Sequence, residues 1–161
     1  MVDAALNLLE ARPTDTVLDL FCGLGNFTLP LARRASRLLG VEGDAALVSK
    51  ARANALRNGI GNAEFSVENL FEPKTFGAWA SARYDLVLLD PPRAGASELL
   101  PAMAQWRPRR VVYISCHPGS LARDAGILVH AQGFRLTDAG VMDMFPHTTH
   151  VESIAVFESV T

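Results

Sequence analysis

Cysteine is scarce in this 161-residue sequence: Cys22 and Cys116 are the only two, far apart and outside any CxxC spacing. Their scarcity argues against a disulfide framework and a cysteine-built zinc site, and it fits a reducing cytoplasm. Charge is also sparse. Charged residues make up 20% of the chain and the net charge is −2, so there is no bulk positive field of the kind that announces nucleic-acid binding. Any RNA contact must be local or depend on a segment outside this chain. No apolar run approaches the ~18 residues of a membrane span, and the N-terminus lacks a charged-then-apolar signal pattern. The expectation is a soluble, cytoplasmic protein with no membrane partner. Repeats, low-complexity tracts and linkers are missing as well. What the chain does have is apolar residues, 49% of the total, enough for one domain with a substantial core but not for two.

Strand-like and helix-like segments alternate throughout. Residues 2–11 form an amphipathic helix, 16–21 a first strand, 26–35 a helix after a glycine turn, and 37–42 a second strand. Asp44 caps a helix with alanine and leucine at helical spacing that stops at Asn58-Gly59. Residues 63–67 are a third strand, and 71–82, broken by Pro73 and Gly77, a loop with weak helix. Residues 84–90 are an apolar fourth strand with a polar exit, and 97–106 a helix. A fifth strand ends at Ser115. A helix runs from Pro118 to about Gln132, residues 134–143 are strand six and 151–157 strand seven.

This alternation, with continuous apolar strands, predicts an α/β fold: a doubly wound, mostly parallel seven-stranded sheet covered on both faces. The segment 144–150 is too short for a crossover, so the last strand must run antiparallel to strand six, with Glu152 at the edge where strand six ends. Ligands bind at the C-terminal edge of such sheets. Topology therefore gathers Gly23, Glu42, Asp90, Cys116 and Glu152 on one rim.

Three features occupy that rim. In Asp19-Leu20-Phe21-Cys22-Gly23-Leu24-Gly25-Asn26, two glycines permit a tight turn and close approach of a ligand, and Thr28 stands where a dinucleotide fingerprint wants a third glycine. The loop resembles motif I of class I S-adenosylmethionine-dependent methyltransferases, and Glu42, ending strand two, is placed to accept hydrogen bonds from ribose hydroxyls. Cys22 reads as structural. In Asp90-Pro91-Pro92-Arg93, amino-methylating enzymes place an aromatic residue where Arg93 stands. Amine methylation is therefore disfavoured, and a cation near an electron-rich ring or a thiolate is favoured. Finally, Ile114-Ser115-Cys116-His117-Pro118 reads as a strand delivering a cysteine beside a helix N-terminus, where a thiolate is favoured. A lone cysteine is by default a buried structural thiol; the shared rim reverses that default.

Together DLFCGLGNFTLPLA, DPPRAGA, SCHPGSLARD and DMFPHTTHVES resemble the RNA uracil-C5 methyltransferase family, most nearly the bacterial branch acting on 23S ribosomal RNA. The resemblance covers nearly the whole chain in order and spacing. It implies Cys116 as the nucleophile that attacks uracil C6 and Glu152 as the base that takes the C5 proton. It also implies cofactor contacts at Phe21, Gly23, Gly25, Asn26, Glu42, Asn69 and Asp90, with Asp90 and Arg93 against the target base. The cofactor implied is S-adenosylmethionine, and the partner is RNA presenting a flipped or single-stranded uridine. Family members are longer, with an N-terminal RNA-binding barrel and often an iron–sulfur cluster. Residues 1–161 thus correspond to the catalytic domain alone, a monomer without a cluster. A transfer-RNA enzyme and a non-catalytic cofactor-binding fragment are the alternatives.

His117 departs from the asparagine common in the family's SCNP. Adjacent residues in extended chain point to opposite faces, so His117 is poorly aimed to deprotonate Cys116 in a protease-like pair. His147, His150 and Glu152 have metal-like spacing, but no fourth ligand is evident, and no metal is expected.

Overall fold

Strand residues alternate between two apolar clusters, and that alternation makes the sheet a buried central layer. The computed structural model describes residues 1–142 and 151–160. Its strands are Thr16–Leu20 (β1), Arg37–Glu42 (β2), Ala63–Val67 (β3), Leu86–Leu89 (β4), Arg110–Ser115 (β5), Phe134–Met142 (β6) and Glu152–Ser159 (β7). They form one sheet in the order β3-β2-β1-β4-β5-β7-β6. Val87, Leu89, Val111, Tyr113 and Phe157 pack into one cluster with Trp106 and Leu128. Leu86, Leu88, Val112, Ile114 and Val156 pack into the other with Leu6, Leu9 and Leu31. Both faces are thus covered by helices, as a parallel sheet requires.

Pairings among β1 to β5 are parallel, whereas β7 is antiparallel to both β5 and β6. The expected reversal is present, and β7 is also inserted between β5 and β6. In this register Met142 lies opposite Glu152 and Ser115 opposite Ser153.

The helices are Val2–Leu9 (α1), Thr28–Ala32 (α2), Ala45–Arg57 (α3), Met103–Trp106 (α4) and Pro118–Ala131 (α5). Asp44 caps α3 as expected, its Oδ1 accepting from the amides of Ala46 (2.7 Å) and Leu47 (3.3 Å). Two expectations need correction. The helix expected over 26–35 shrinks to five residues, because left-handed Gly25 (φ +86°) keeps the chain in a turn through Phe27, and Pro30 brings no amide hydrogen to the ladder. The helix expected over 97–106 is a turn, a 3₁₀ segment at Leu100–Ala102 and the single turn of α4; Pro101 again removes a donor.

Away from the rim, Arg109 grips Asp15 with both guanidinium nitrogens at 2.8 Å, joining the segment before β1 to the start of β5. Burial alone would raise the Asp15 carboxyl, but the Arg109 fork and the Arg12 amide hold it below the ordinary value. In β2, a Cβ on Gly40 would lie 2.9 Å from both Cys22 Sγ and a Phe65 ring carbon. Gly40→Ala is therefore expected to lower stability by about 1–3 kcal/mol through overpacking, read as a shifted midpoint in urea denaturation.

Candidate active site

The rim is built first by a reversal of the chain after β1. Phe21, Gly23 and Gly25 all adopt left-handed backbone (φ +63°, +54° and +86°). Glycine accepts that conformation freely, but for Phe21 it costs on the order of 1–2 kcal/mol. The amides of Phe21 and Cys22 both donate to the Val41 carbonyl (2.9 and 3.1 Å), locking the reversal onto β2. Glu42, the last residue of β2, accepts from the Gly23 amide through Oε2 (3.1 Å) and from the Asp44 amide through Oε1 (3.0 Å). Nothing lies within 4 Å of the point where a Gly23 Cβ would sit, so the backbone there is open to a ligand. Cys22 is 4% exposed and burial pushes its thiol far up, which leaves it a core residue.

Beneath the turn, Asp19 is fully buried. Its Oδ2 accepts from the Thr28 hydroxyl, while Oδ1 has no partner among the described residues. Burial pushes this carboxyl up to about 7 against the Thr28 hydrogen bond, with Asp90 and Glu42 adding to the rise. Thr28 is thus the buried partner of Asp19 at the position a dinucleotide site gives to glycine. The spacing of the motif carried no sign of this pairing.

A cavity of about 400 Å³ opens beside the turn, lined by Phe21, Glu42, Asn69, Leu70, Phe71, Asp90 and the two prolines that follow. The Phe21 and Phe71 rings form one wall, with centroids 5.7 Å apart. Phe71 and the prolines were not among the expected site residues; side chains in loops leave no periodic signal. Asn69 accepts from the Phe71 amide (3.1 Å) and donates to Glu72 (2.8 Å). Burial raises the Asp90 carboxyl to about 6, helped by the negative charge of Glu152. Phe21, Glu42, Asn69 and Asp90 therefore meet in one space. Gly25 and exposed Asn26 do not line it; they border a neighbouring groove of about 360 Å³ with Leu29, Arg33 and Asn54.

The far side of the rim comes from β5 and β7. Cys116 is half-buried in the turn between Ser115 and Pro118. Ser115 pairs with Ser153, so one further step along each antiparallel strand puts Cys116 and Glu152 at the same end of the sheet. Glu152, the first residue of β7, continues the face occupied by Ile154, and Cys116 follows directly on the end of β5. Arg93 is exposed at the tip of a turn closed by the Gly95 amide on the Pro92 carbonyl (2.9 Å), and makes no hydrogen bond or ion pair among the described residues. His147 and His150 lie outside the described residues.

His117 now has a physical role. It is the N-cap of α5, and its Nδ1 accepts from the Ser120 amide at 3.1 Å. An asparagine oxygen would cap the same amide in the same way. The ring is turned toward the helix, not toward a proton on Cys116.

Fold and rim together define a class I methyltransferase domain: this strand order, a glycine turn after β1 and a carboxylate ending β2. The chain belongs to the tRNA (uracil-5-)-methyltransferase family, which it matches over residues 1–160. It is 60% identical over 158 residues to the 23S rRNA (uracil(1939)-C(5))-methyltransferase RlmD of Methylococcus capsulatus, and 61% identical to that of Alkalilimnicola ehrlichii. In each case the match covers 98% of this chain and 36% of the relative, so the chain spans about a third of the length of these proteins. Among solved structures, the tRNA (uracil-54, C5)-methyltransferase of Pyrococcus abyssi, in complex with S-adenosyl-L-homocysteine, superposes with a TM-score of 0.78 at 33% identity, over 97% of this chain and 36% of that one. The magnesium protoporphyrin IX methyltransferase of Synechocystis, with bound S-adenosylmethionine, shares the fold alone. Its TM-score is 0.74 at 21% identity, over 98% of this chain and 77% of that one.

The site makes two predictions about solution behaviour. His117→Asn is expected to leave stability unchanged, while His117→Ala loses about 1 kcal/mol with the cap, measured by chemical denaturation. Asp19 and Asp90 bind protons more tightly folded than unfolded, since their ordinary value is 3.8. The stability they contribute is complete below about 4 and is lost as pH rises through about 6 to 7. Asp15 and Glu158, held low, act with the opposite sign at more acid pH. Thermal midpoints recorded from pH 4 to 8 should therefore fall less steeply with pH in Asp90→Asn than in the wild type.

Proposed function

We propose that this chain is the catalytic domain of an S-adenosylmethionine-dependent enzyme that methylates C5 of a uridine in 23S ribosomal RNA, through a covalent bond between Cys116 and uracil C6. One observation carries the reading: the β5–β7 register brings a half-buried cysteine and a glutamate to one end of the sheet, beside the cavity that holds Asp90. The relatives named for 23S rRNA are 60% identical over nearly the whole chain, against 33% for the tRNA enzyme, which favours the ribosomal substrate.

The residues fit the cofactor. The cavity is in the size range of small-molecule sites; Phe21 and Phe71 supply an apolar wall, and Asn69 and Glu42 supply polar groups at its edge. Glu42 and Asp90 line it and Glu152 adds its negative charge beside Asp90, which suits a cation. S-adenosylmethionine, when bound, supplies an electrophilic methyl group on a positively charged sulfur.

The protein's own residues do the rest. Uracil C5 is too weak a nucleophile to be methylated unaided, so the Cys116 thiolate adds to C6 and the displaced electron pair moves onto the ring as an enolate, making C5 nucleophilic. Arg93 and the N-terminus of α5 offset the negative charge that passes between sulfur and ring. Once C5 carries both a methyl group and a hydrogen, the Glu152 carboxylate removes that proton. The C5–C6 double bond re-forms and expels the thiolate. The target base must leave its stack to enter such a site, as a flipped or single-stranded uridine.

Incubation with cofactor and 5-fluorouridine-containing RNA tests the reading, because fluorine at C5 blocks the final proton removal. An RNA adduct on Cys116 is expected by mass spectrometry, absent in Cys116→Ala. Glu152→Gln should accumulate an adduct even on ordinary uridine and turn over about 10²–10⁴-fold more slowly. Cofactor binding without any adduct would instead support a non-catalytic binding fragment, and faster labelling of transfer RNA than of ribosomal RNA would reassign the substrate.

A further inference from the structure

The segment Arg123-Asp124, at the middle of α5, belongs to none of the groups assigned so far, yet the Asp124 carboxylate accepts three hydrogen bonds. It is fully buried. Its Oδ2 accepts from the Tyr113 hydroxyl (2.5 Å) and from the Ala96 amide (2.8 Å), and its Oδ1 accepts from Arg123 Nε (2.8 Å). Arg123, half-exposed, uses the rest of its fork on the Ala94 carbonyl (2.8 Å). Tyr113 lies three residues before Cys116. Ala94 and Ala96 lie just after Arg93.

These bonds connect three pieces of chain: the strand that leads into the nucleophile, the helix that leaves it, and the turn that carries Arg93. The turn itself offers little stiffness, being closed by one amide-to-carbonyl bond from Gly95 to Pro92. Gly95 is held at φ +84°, and a Cβ there would lie 2.5 Å from Arg123 Nη2 and 2.6 Å from Asp124 Oδ2. The chain therefore passes against the ion pair so closely that only glycine fits. A buried carboxylate that is fully bonded fixes geometry firmly, because any movement strands a charge away from water. Aligning two reacting groups from separate loops needs that firmness, since a displacement of about 1 Å can cost about a hundredfold in rate.

We propose that Arg123 and Asp124 are positioning residues for the uracil-methylating reaction: from the middle of α5 they clamp the Arg93 turn at a set distance from Cys116, without touching base or cofactor. This rests on the function proposed above. It adds a coupling between the nucleophile's helix and the substrate-binding loop that the rim residues alone do not contain.

The test compares the wild-type chain with Arg123→Ala, Gly95→Ala, Arg93→Ala and the double variant Arg93→Ala/Arg123→Ala. The readout is the single-turnover rate of adduct formation at saturating concentrations of a 5-fluorouridine-containing RNA oligonucleotide, alongside calorimetric binding of S-adenosylhomocysteine. Arg123 is half-exposed, so its truncation is expected to fold. Arg123→Ala and Gly95→Ala should each slow the adduct about tenfold to a hundredfold, with S-adenosylhomocysteine affinity within about twofold of wild type because neither residue lines its cavity. The double variant should be no slower than Arg93→Ala, because a clamp on Arg93 has nothing left to hold. Wild-type rates in either clamp variant overturn the proposal. So does a double variant whose losses multiply, an Arg93→Ala that is as fast as wild type, or a loss of S-adenosylhomocysteine affinity as large as the loss of rate. A wild-type chain that forms no adduct removes the enzyme reading itself, and is thereby distinguished from a failure of the clamp.

Discussion

The antiparallel insertion of β7 between β5 and β6 is the constraint on which the site depends. Five parallel strands can deliver only their C-terminal ends to the rim. A strand running the other way brings its beginning there, and so Glu152 meets a rim otherwise made of strand exits. The hydrogen-bond ladder sets this position to a single residue. A slip of one would turn Glu152 to the opposite face and exchange Ile154 and Val156, packed with Ile114 and Val112, for Ala155 and Phe157, which belong to the other cluster. The apolar packing of β7 thus holds the register, and the register holds the chemistry.

Around that frame the rim carries costs that a purely structural turn would avoid. Phe21 sits in left-handed backbone, the Asp19 carboxyl is buried with one oxygen unbonded, and Asp90 is raised toward neutrality by burial and by Glu152. Such features persist only where the surrounding structure over-determines them, and they gather at functional sites. Here the surroundings are the two apolar clusters and the grip of Glu42 on the Gly23 amide. A cationic ligand would relieve the crowding of carboxylates, and this is the physical sense in which the cavity suits one.

Two side chains show how chemistry and support interlock on α5. His117 caps the helix through Nδ1, as an asparagine oxygen would, and the residue beside Cys116 is thereby accounted for as scaffolding. Asp124, two turns further on, draws Tyr113 and the chain after Arg93 onto the same helix. The helix that follows Cys116 is thus bonded at its start to its own backbone and at its middle to the neighbouring loop.

Much of this was legible in the residues alone. Apolar runs and their spacing determined seven strands and their parallel character, because burial on both faces demands continuous apolar sequence, and the short 144–150 segment determined the reversal of the last strand. The topology inferred from that alternation placed Gly23, Glu42, Asp90, Cys116 and Glu152 on one rim. Local sequence misjudged the helices at 26–35 and 97–106, where Pro30, Pro101 and left-handed Gly25 outweigh helical spacing. Only the tertiary structure decided that Phe71 walls the cavity, that Asn26 faces a different groove, that Thr28 bonds Asp19 and that Asp124 gathers Tyr113 and Ala96. The reason is physical. Periodicity reports which face of an element is buried, whereas the partner of a polar group is set by which distant segments the closed sheet brings within hydrogen-bond reach.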